Sequence, residues 1–113
     1  VFNGTVALEL CLKALKIKEG DEVIVTARTF LASATCALWY GIKPVFVDVD
    51  ENSQNITLET IKKGITEKTR AVILVHLAGW PCHVEEICSY CKANNIYVIE
   101  DCAQSHGAKY NGK

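Results

Sequence analysis

Apolar positions along this chain recur with two alternating periods, and the alternation predicts the fold. Over residues 5–17, Leu8, Cys11, Leu12 and Leu15 fall at i, i+3, i+4 and i+7, the spacing of one helix face, while Glu9, Lys13 and Lys16 take the other. Glu9 and Lys13 stand in the favourable i,i+4 order. Lys18 to Asp21 reads as a turn, and residues 22–26 (EVIVT) as a short β-branched strand. Small residues dominate the helix predicted over 30–40; Gly41 suits its C-terminal cap and Pro44 bars its continuation. A second strand is predicted over 45–49 (VFVDV), a polar loop over 50–55, and a helix from about 57 to 65. Residues 70–76 (RAVILVH) read as a third strand. Residues 83–94 read as a helix with Val84, Ile87, Cys88 and Cys91 as its buried stripe, and 96–101 (IYVIED) as a fourth strand.

Strands that alternate with helices and are apolar on both faces predict an α/β fold, a mostly parallel sheet with helices on both faces and right-handed crossovers. The chain shows no repeat, low-complexity segment or interdomain linker. Its 113 residues suffice for one domain and not two. Half of them are apolar and 22% charged, the balance of a globular chain. A net charge of -1 points neither to nucleic acid nor to an anionic membrane surface. No apolar run approaches the ~20 residues of a membrane helix, and Val1 to Thr5 lacks the basic start and apolar stretch of a signal peptide. Without any Met, the chain is expected to be an excerpt of a longer protein. Its six cysteines lie inside regular elements of an apolar chain that needs no disulfides, so a reducing, cytosolic compartment is expected.

Ligands of open α/β sheets bind at the carboxyl ends of the strands. This directs attention to Arg28 to Phe30, Asp48 to Asp50, His76 to Trp80 and Asp101 to His106. Asn3-Gly4-Thr5 joins them, because the start of a helix offers free amides and a positive dipole end to a phosphate. Gly4 lets an anion approach the backbone and Thr5 carries a hydroxyl, although Gly-Thr before a helix also fits a simple cap. Asp101 ends a buried strand, where a carboxylate needs a partner: a protonated ring nitrogen, or a structural Lys, Arg or amide. Phe30 can lie flat on an aromatic ring or pack in the core. Gln104, three residues after Asp101, can reach the same ligand or bond within its loop. Asp48 and Asp50 suit Mg²⁺ less well than a polar strand exit. For His76 a hydrogen-bonded strand-end histidine is the commoner case.

Taken together these stretches resemble the sugar aminotransferases of the DegT/DnrJ/EryC1/StrS family, pyridoxal-phosphate enzymes of the aspartate-aminotransferase fold type. The resemblance rests on Asn3-Gly4-Thr5, Gly20 to Val25, Thr29-Phe30, Lys43 to Asp50, Thr69 to Ile73, Val75 to Gly79, Ile99 to Gly107 and Tyr110 to Lys113. They follow the family's order from end to end of the chain. It implies that residues 1–113 are a segment of the pyridoxal-phosphate-binding large domain of fold type I, with the rest of that domain and a small C-terminal domain absent. It implies that Gly4 and Thr5 form the phosphate turn, that Phe30 stacks on the pyridine ring, that Asp101 pairs with its nitrogen and that Gln104 lies beside the cofactor. The family's Schiff-base lysine and a phosphate-binding serine lie downstream of the Glu-Asp-x-Ala-Gln stretch. Lys109 and Lys113 follow Asp101 too closely to match, so the isolated segment is expected to be inactive. For the parent protein, the resemblance implies transfer of an amino group, with glutamate as donor, to a nucleotide-linked keto-sugar in amino-sugar or surface-polysaccharide biosynthesis, by a homodimer. It also admits the family's dehydratase branch. The chain departs from the family at Asn3, where serine is common, at Ala27-Arg28, and at Cys102, where alanine is usual.

Two other classes compete. Cys88, Cys91, Cys102 and His106 can be grouped as four zinc ligands, although Cys88 and Cys91 fall on the apolar stripe of a helix rather than on a turn. Alternatively the chain is a non-enzymatic α/β fragment whose exposed sheet surface invites association.

Overall fold

The computed structural model describes residues 1–112; Lys113, the end of the last resembling stretch, lies outside the described residues. Its elements run α1 (Gly4–Ala14), β1 (Glu22–Thr26), α2 (Ala32–Leu38), β2 (Lys43–Val47), α3 (Leu58–Gly64), β3 (Thr69–Val75), a 3-10 turn (Leu77–Gly79), α4 (Val84–Ala93) and β4 (Tyr97–Asp101). The four strands form one parallel sheet in the order β2-β1-β3-β4. Alternate residues of the inner strands face opposite ways, as the pleat requires. Val23, Val25, Ala71, Ile73 and Val75 pack with Leu8 and Leu12 of α1 and Ala34, Cys36 and Ala37 of α2. Ile24, Val72 and Leu74 pack on the other face with Ile61 of α3 and Ile87 and Cys91 of α4. The chain thus moves one way along the sheet through α2 and the opposite way through α3 and α4, changing face as it changes direction, so its crossovers share one hand.

The expected α/β sheet with helices on both faces is what forms, with shifted element boundaries. Helix α1 stops at Ala14 rather than at residue 17, because Lys16 turns to φ 57° and Ile17 donates back to the Leu12 carbonyl. Gly41 closes α2 in the same way, at φ 66°, with Ile42 donating to Ala37. Strand β2 begins at Lys43, not residue 45, and contains Pro44. An edge strand tolerates a proline because one of its sides has no ladder partner. It ends at Val47 because Asp48 and Asp50 accept the amides of Val49, Asn52 and Ser53 and build a turn. These two acids are therefore committed to the loop rather than presented to a cation. Cys11, read as part of the buried face of α1, is exposed.

At the end of the sheet opposite the ligand side, Glu22 is 5% exposed and accepts Thr66 Oγ1 at 2.6 Å and Lys43 Nζ at 3.0 Å. The Thr66 bond and then the Lys43 bond hold its carboxyl below the ordinary value of 4.5. A carboxyl with a lowered folded-state pKa contributes stability that is complete above the unfolded value and is lost as pH falls through the folded one. Urea midpoints should therefore fall below about pH 4.5. Glu22→Gln should flatten that limb and lower stability near neutrality by about 1–3 kcal/mol; an unchanged acid limb would remove Glu22 from this account.

Candidate functional site

The first turn of α1, the exits of β1, β3 and β4 and the start of α2 enclose a cavity of about 350 Å³. That is within the roughly 300–1,000 Å³ typical of small-molecule sites. Its lining includes Gly4, Thr5, Phe30, Asp101 and Gln104, the five residues singled out from sequence, together with Thr29.

Part of the cavity wall is the N-terminus of α1. Asn3 is its cap: the side chain accepts the Val6 amide at 3.0 Å and the carbonyl accepts the Ala7 amide at 3.1 Å. The amides of Gly4 and Thr5 are left without a partner among the described residues. No acidic residue stands in this first turn to oppose an anion. A side-chain carbon added at Gly4 would meet nothing within 4 Å, so the opening in front of this backbone is real space. Gly4→Ala in the full-length protein should therefore leave thermal stability intact while crowding a phosphate off its amide. Losing one charge-assisted bond corresponds to about 1.5–3 kcal/mol, roughly 10- to 100-fold in cofactor affinity. A fluorescence titration checks this; undiminished affinity would take the phosphate away from this turn.

Asp101, also on the cavity wall, closes β4 beside Val75 of β3. Its carboxylate is half-buried and oriented by two donors, the Ala103 amide on Oδ1 at 3.1 Å and the Ser33 hydroxyl on Oδ2 at 3.1 Å. Ser33 in turn lies 2.9 Å from Thr29 Oγ1. A carboxylate accepts about four hydrogen bonds, so acceptor capacity remains for a donor arriving from the cavity. Phe30 is 70% exposed, just before α2 rather than inside it, and offers a free aromatic face. Gln104 also lines the cavity, but its Oε1 accepts the Ala78 amide at 2.8 Å, which leaves the amide NH₂ as its available group. This bond ties the loop after β4 to the 3-10 turn after β3, where Ala78 sits at φ 52°.

Unpartnered amides for a phosphate, an oriented carboxylate and an exposed aromatic ring on one cavity fit pyridoxal phosphate.

The structure does not bring the suggested zinc ligands together. Cys91 is fully buried with Ile87 and Ile96 and Cys88 is half-buried on the same helix, whereas Cys102 and His106 are exposed, and the four ligand atoms form no cluster among the described residues. Burial pushes the Cys91 thiol up to about 11. Among the described residues the one cluster with ligand atoms within 4.8 Å is His76, Glu100 and Cys102. Its histidine is wrongly set for a metal. His76 Nδ1 accepts the Cys82 amide at 3.1 Å, so the ring proton sits on Nε2 and is donated to Glu100 at 3.0 Å. A ligating histidine needs its other nitrogen to donate, and here that nitrogen faces a donor. His76 is the hydrogen-bonded strand-end residue, outside the lining of the cavity.

Ser33 is the residue that sequence reading missed. It stands among small residues in the first turn of α2, and its partner is 68 positions away. No helix of the described residues is long and apolar enough to cross a membrane.

The sequence matches the DegT/DnrJ/EryC1/StrS aminotransferase family over residues 1–113. It is 49% identical to a GDP-perosamine synthase of Escherichia coli O157:H7, covering all of this chain and 31% of that protein. The X-ray structure of an aminotransferase from Psychrobacter cryohalolentis superposes with a TM-score of 0.93 at 55% identity, over 96% of this chain and 27% of that one. An E. coli GDP-4-keto-6-deoxy-D-mannose-3-dehydratase with bound hydrated PLP superposes with a TM-score of 0.87 at 34% identity, over 97% of this chain and 30% of that one. The chain thus spans about a third of the length of the relatives it matches. It belongs to the DegT/DnrJ/EryC1/StrS aminotransferase family, a family of enzymes whose cofactor is pyridoxal phosphate.

Proposed function

We propose that the full-length protein is a pyridoxal-phosphate-dependent aminotransferase that acts on a nucleotide-linked keto-sugar, with glutamate as amino donor. Residues 1–113 are a segment of its cofactor-binding large domain. The observation that carries this reading is the Asp101 carboxylate, oriented by Ser33 and Ala103, opening onto the same cavity as the unpartnered Gly4 and Thr5 amides.

Each residue has a separable task. The Gly4 and Thr5 amides, at the positive end of α1, bind the phosphate. Phe30 covers one face of the ring and keeps water from it. Asp101, as the anion, holds a proton on the ring nitrogen. With that proton in place the cofactor supplies an electron sink for the substrate carbon that loses its own proton. Gln104 offers its NH₂ to the cofactor rim while its carbonyl fixes the Ala78 turn.

The nucleotide-sugar class is supported by the GDP-perosamine synthase relative, and glutamate by the family resemblance. Exposed Leu31 and Trp39, at the two ends of α2, support a homodimer. Six free cysteines support a cytoplasmic, reducing location. A second reading, sugar dehydration, has a specific support in the dehydratase that superposes on this chain.

Incubating the full-length protein with pyridoxal phosphate, glutamate and a panel of GDP- and dTDP-linked keto-sugars tests the proposal. Mass spectrometry should find an amino sugar. A deoxy sugar lacking nitrogen would favour the dehydratase reading, and neither product from any nucleotide sugar would contradict both.

A further inference from the structure

We propose that Ser33 is a positioning residue for Asp101, the inner link of a directed hydrogen-bond chain running from Thr29 through Ser33 to the carboxylate; this rests on the cofactor reading above. Direction follows from proton inventory. A carboxylate has no proton to give, so the Ser33 hydroxyl donates to Asp101 Oδ2 at 3.1 Å. That uses the single Ser33 proton, so the contact of 2.9 Å to Thr29 Oγ1 has Thr29 as donor.

Two further observations favour a role beyond helix building. Ser33 is 1% exposed and stands in the first turn of α2, yet that helix has Leu31 at its N-cap and no side-chain cap bond. The amides of Ser33, Ala34 and Thr35 are already bonded to the carbonyls of Phe30 and Leu31, so neither hydroxyl is spent on the helix start: Thr29 meets Ser33, and Ser33 meets Asp101. Thr29 lines the cavity and Ser33 does not, so Ser33 acts on the cofactor through the carboxylate alone.

Such a chain does two things. It fixes the plane of the carboxylate together with the Ala103 amide. It also stabilises the anion, so that a proton shared with a ring nitrogen stays on the nitrogen. Removing the Ser33 hydroxyl leaves Oδ2 without its donor and the carboxylate less firmly set against the ring nitrogen.

The test uses the full-length protein loaded with pyridoxal phosphate carrying a ¹⁵N label in the ring. Wild-type protein should show the resonance of a protonated nitrogen. Ser33→Ala should move it toward the unprotonated position and weaken cofactor affinity about tenfold, the lower end of the range for a hydrogen bond to a charged group. Ser33→Thr, which keeps the hydroxyl, should restore both. Thr29→Val, at a half-buried position that spares the core, should move the resonance the same way by less. An unmoved resonance in Ser33→Ala and Thr29→Val overturns the proposal, as does a Ser33→Thr variant as impaired as Ser33→Ala. Wild-type protein that takes up no pyridoxal phosphate overturns the cofactor reading as well; uptake with unmoved variants overturns the positioning role alone.

Discussion

Asp101→Asn in the full-length protein should cut kcat by about 10²–10³-fold, the scale of losing one preorganised electrostatic partner of the reacting group. The substitution preserves shape. An asparagine at the end of β4 still accepts the Ala103 amide through its oxygen, and its nitrogen still meets the Ser33 hydroxyl, which then acts as acceptor. The backbone bond from His76 to the Asp101 carbonyl is untouched. What disappears is the negative charge. Without it the ring nitrogen has no anion to hold its proton, and the electron sink weakens. Affinity for pyridoxal phosphate should fall as well, while the melting temperature stays near wild type. An enzyme with unchanged kcat would return Asp101 to being a structural acid at a strand end.

The second large effect is on stability. Leu12→Ala should cost about 2–5 kcal/mol, the range for deleting a fully buried leucine side chain. Leu12 is 0% exposed and packs with Leu8, Ile17 and the β1 and β3 side chains under α1. Its loss leaves a cavity beneath the helix whose first turn carries Gly4 and Thr5. Against a domain stability of about 5–15 kcal/mol this is a substantial fraction. Urea unfolding of the full-length protein measures it. A change under about 1 kcal/mol would mean that α1 is not seated on the sheet as described.

Much of this architecture was legible in the hydrophobic pattern because the sheet is covered on both faces. Glu22–Thr26 reads as a strand from its β-branched run alone, and the structure places it at those residues. Where reading slipped, the cause was tertiary. Pro44 reads as the stop after the second helix, and its place inside β2 follows only from that strand lying at the sheet edge. Phe30 looks like the start of a helix, yet α2 begins at Ala32 and leaves the ring exposed at the cavity mouth. Cys11 has the spacing of a buried position on α1 and still faces outward.

For the site the division is similar. Gly4, Thr5, Phe30, Asp101 and Gln104 were each open to an ordinary reading, and only their common order along the chain pointed to one ligand. The structure gathers all five around a single cavity. Two features left no trace in the sequence. The Ser33 hydroxyl meets a residue 68 positions away, and the Gln104 carbonyl is occupied by a backbone amide of a turn that the pattern did not predict. Contacts of that kind depend on strand order, which local periodicity does not encode.

The most direct measurement is a crystal structure of the full-length protein grown with pyridoxal phosphate. The account predicts the phosphate on the Gly4 and Thr5 amides, Phe30 against the ring, and the ring nitrogen within about 2.7–3.2 Å of an Asp101 carboxylate oxygen. A cofactor bound away from this cavity, or bound in it with its nitrogen turned from Asp101, would contradict the account.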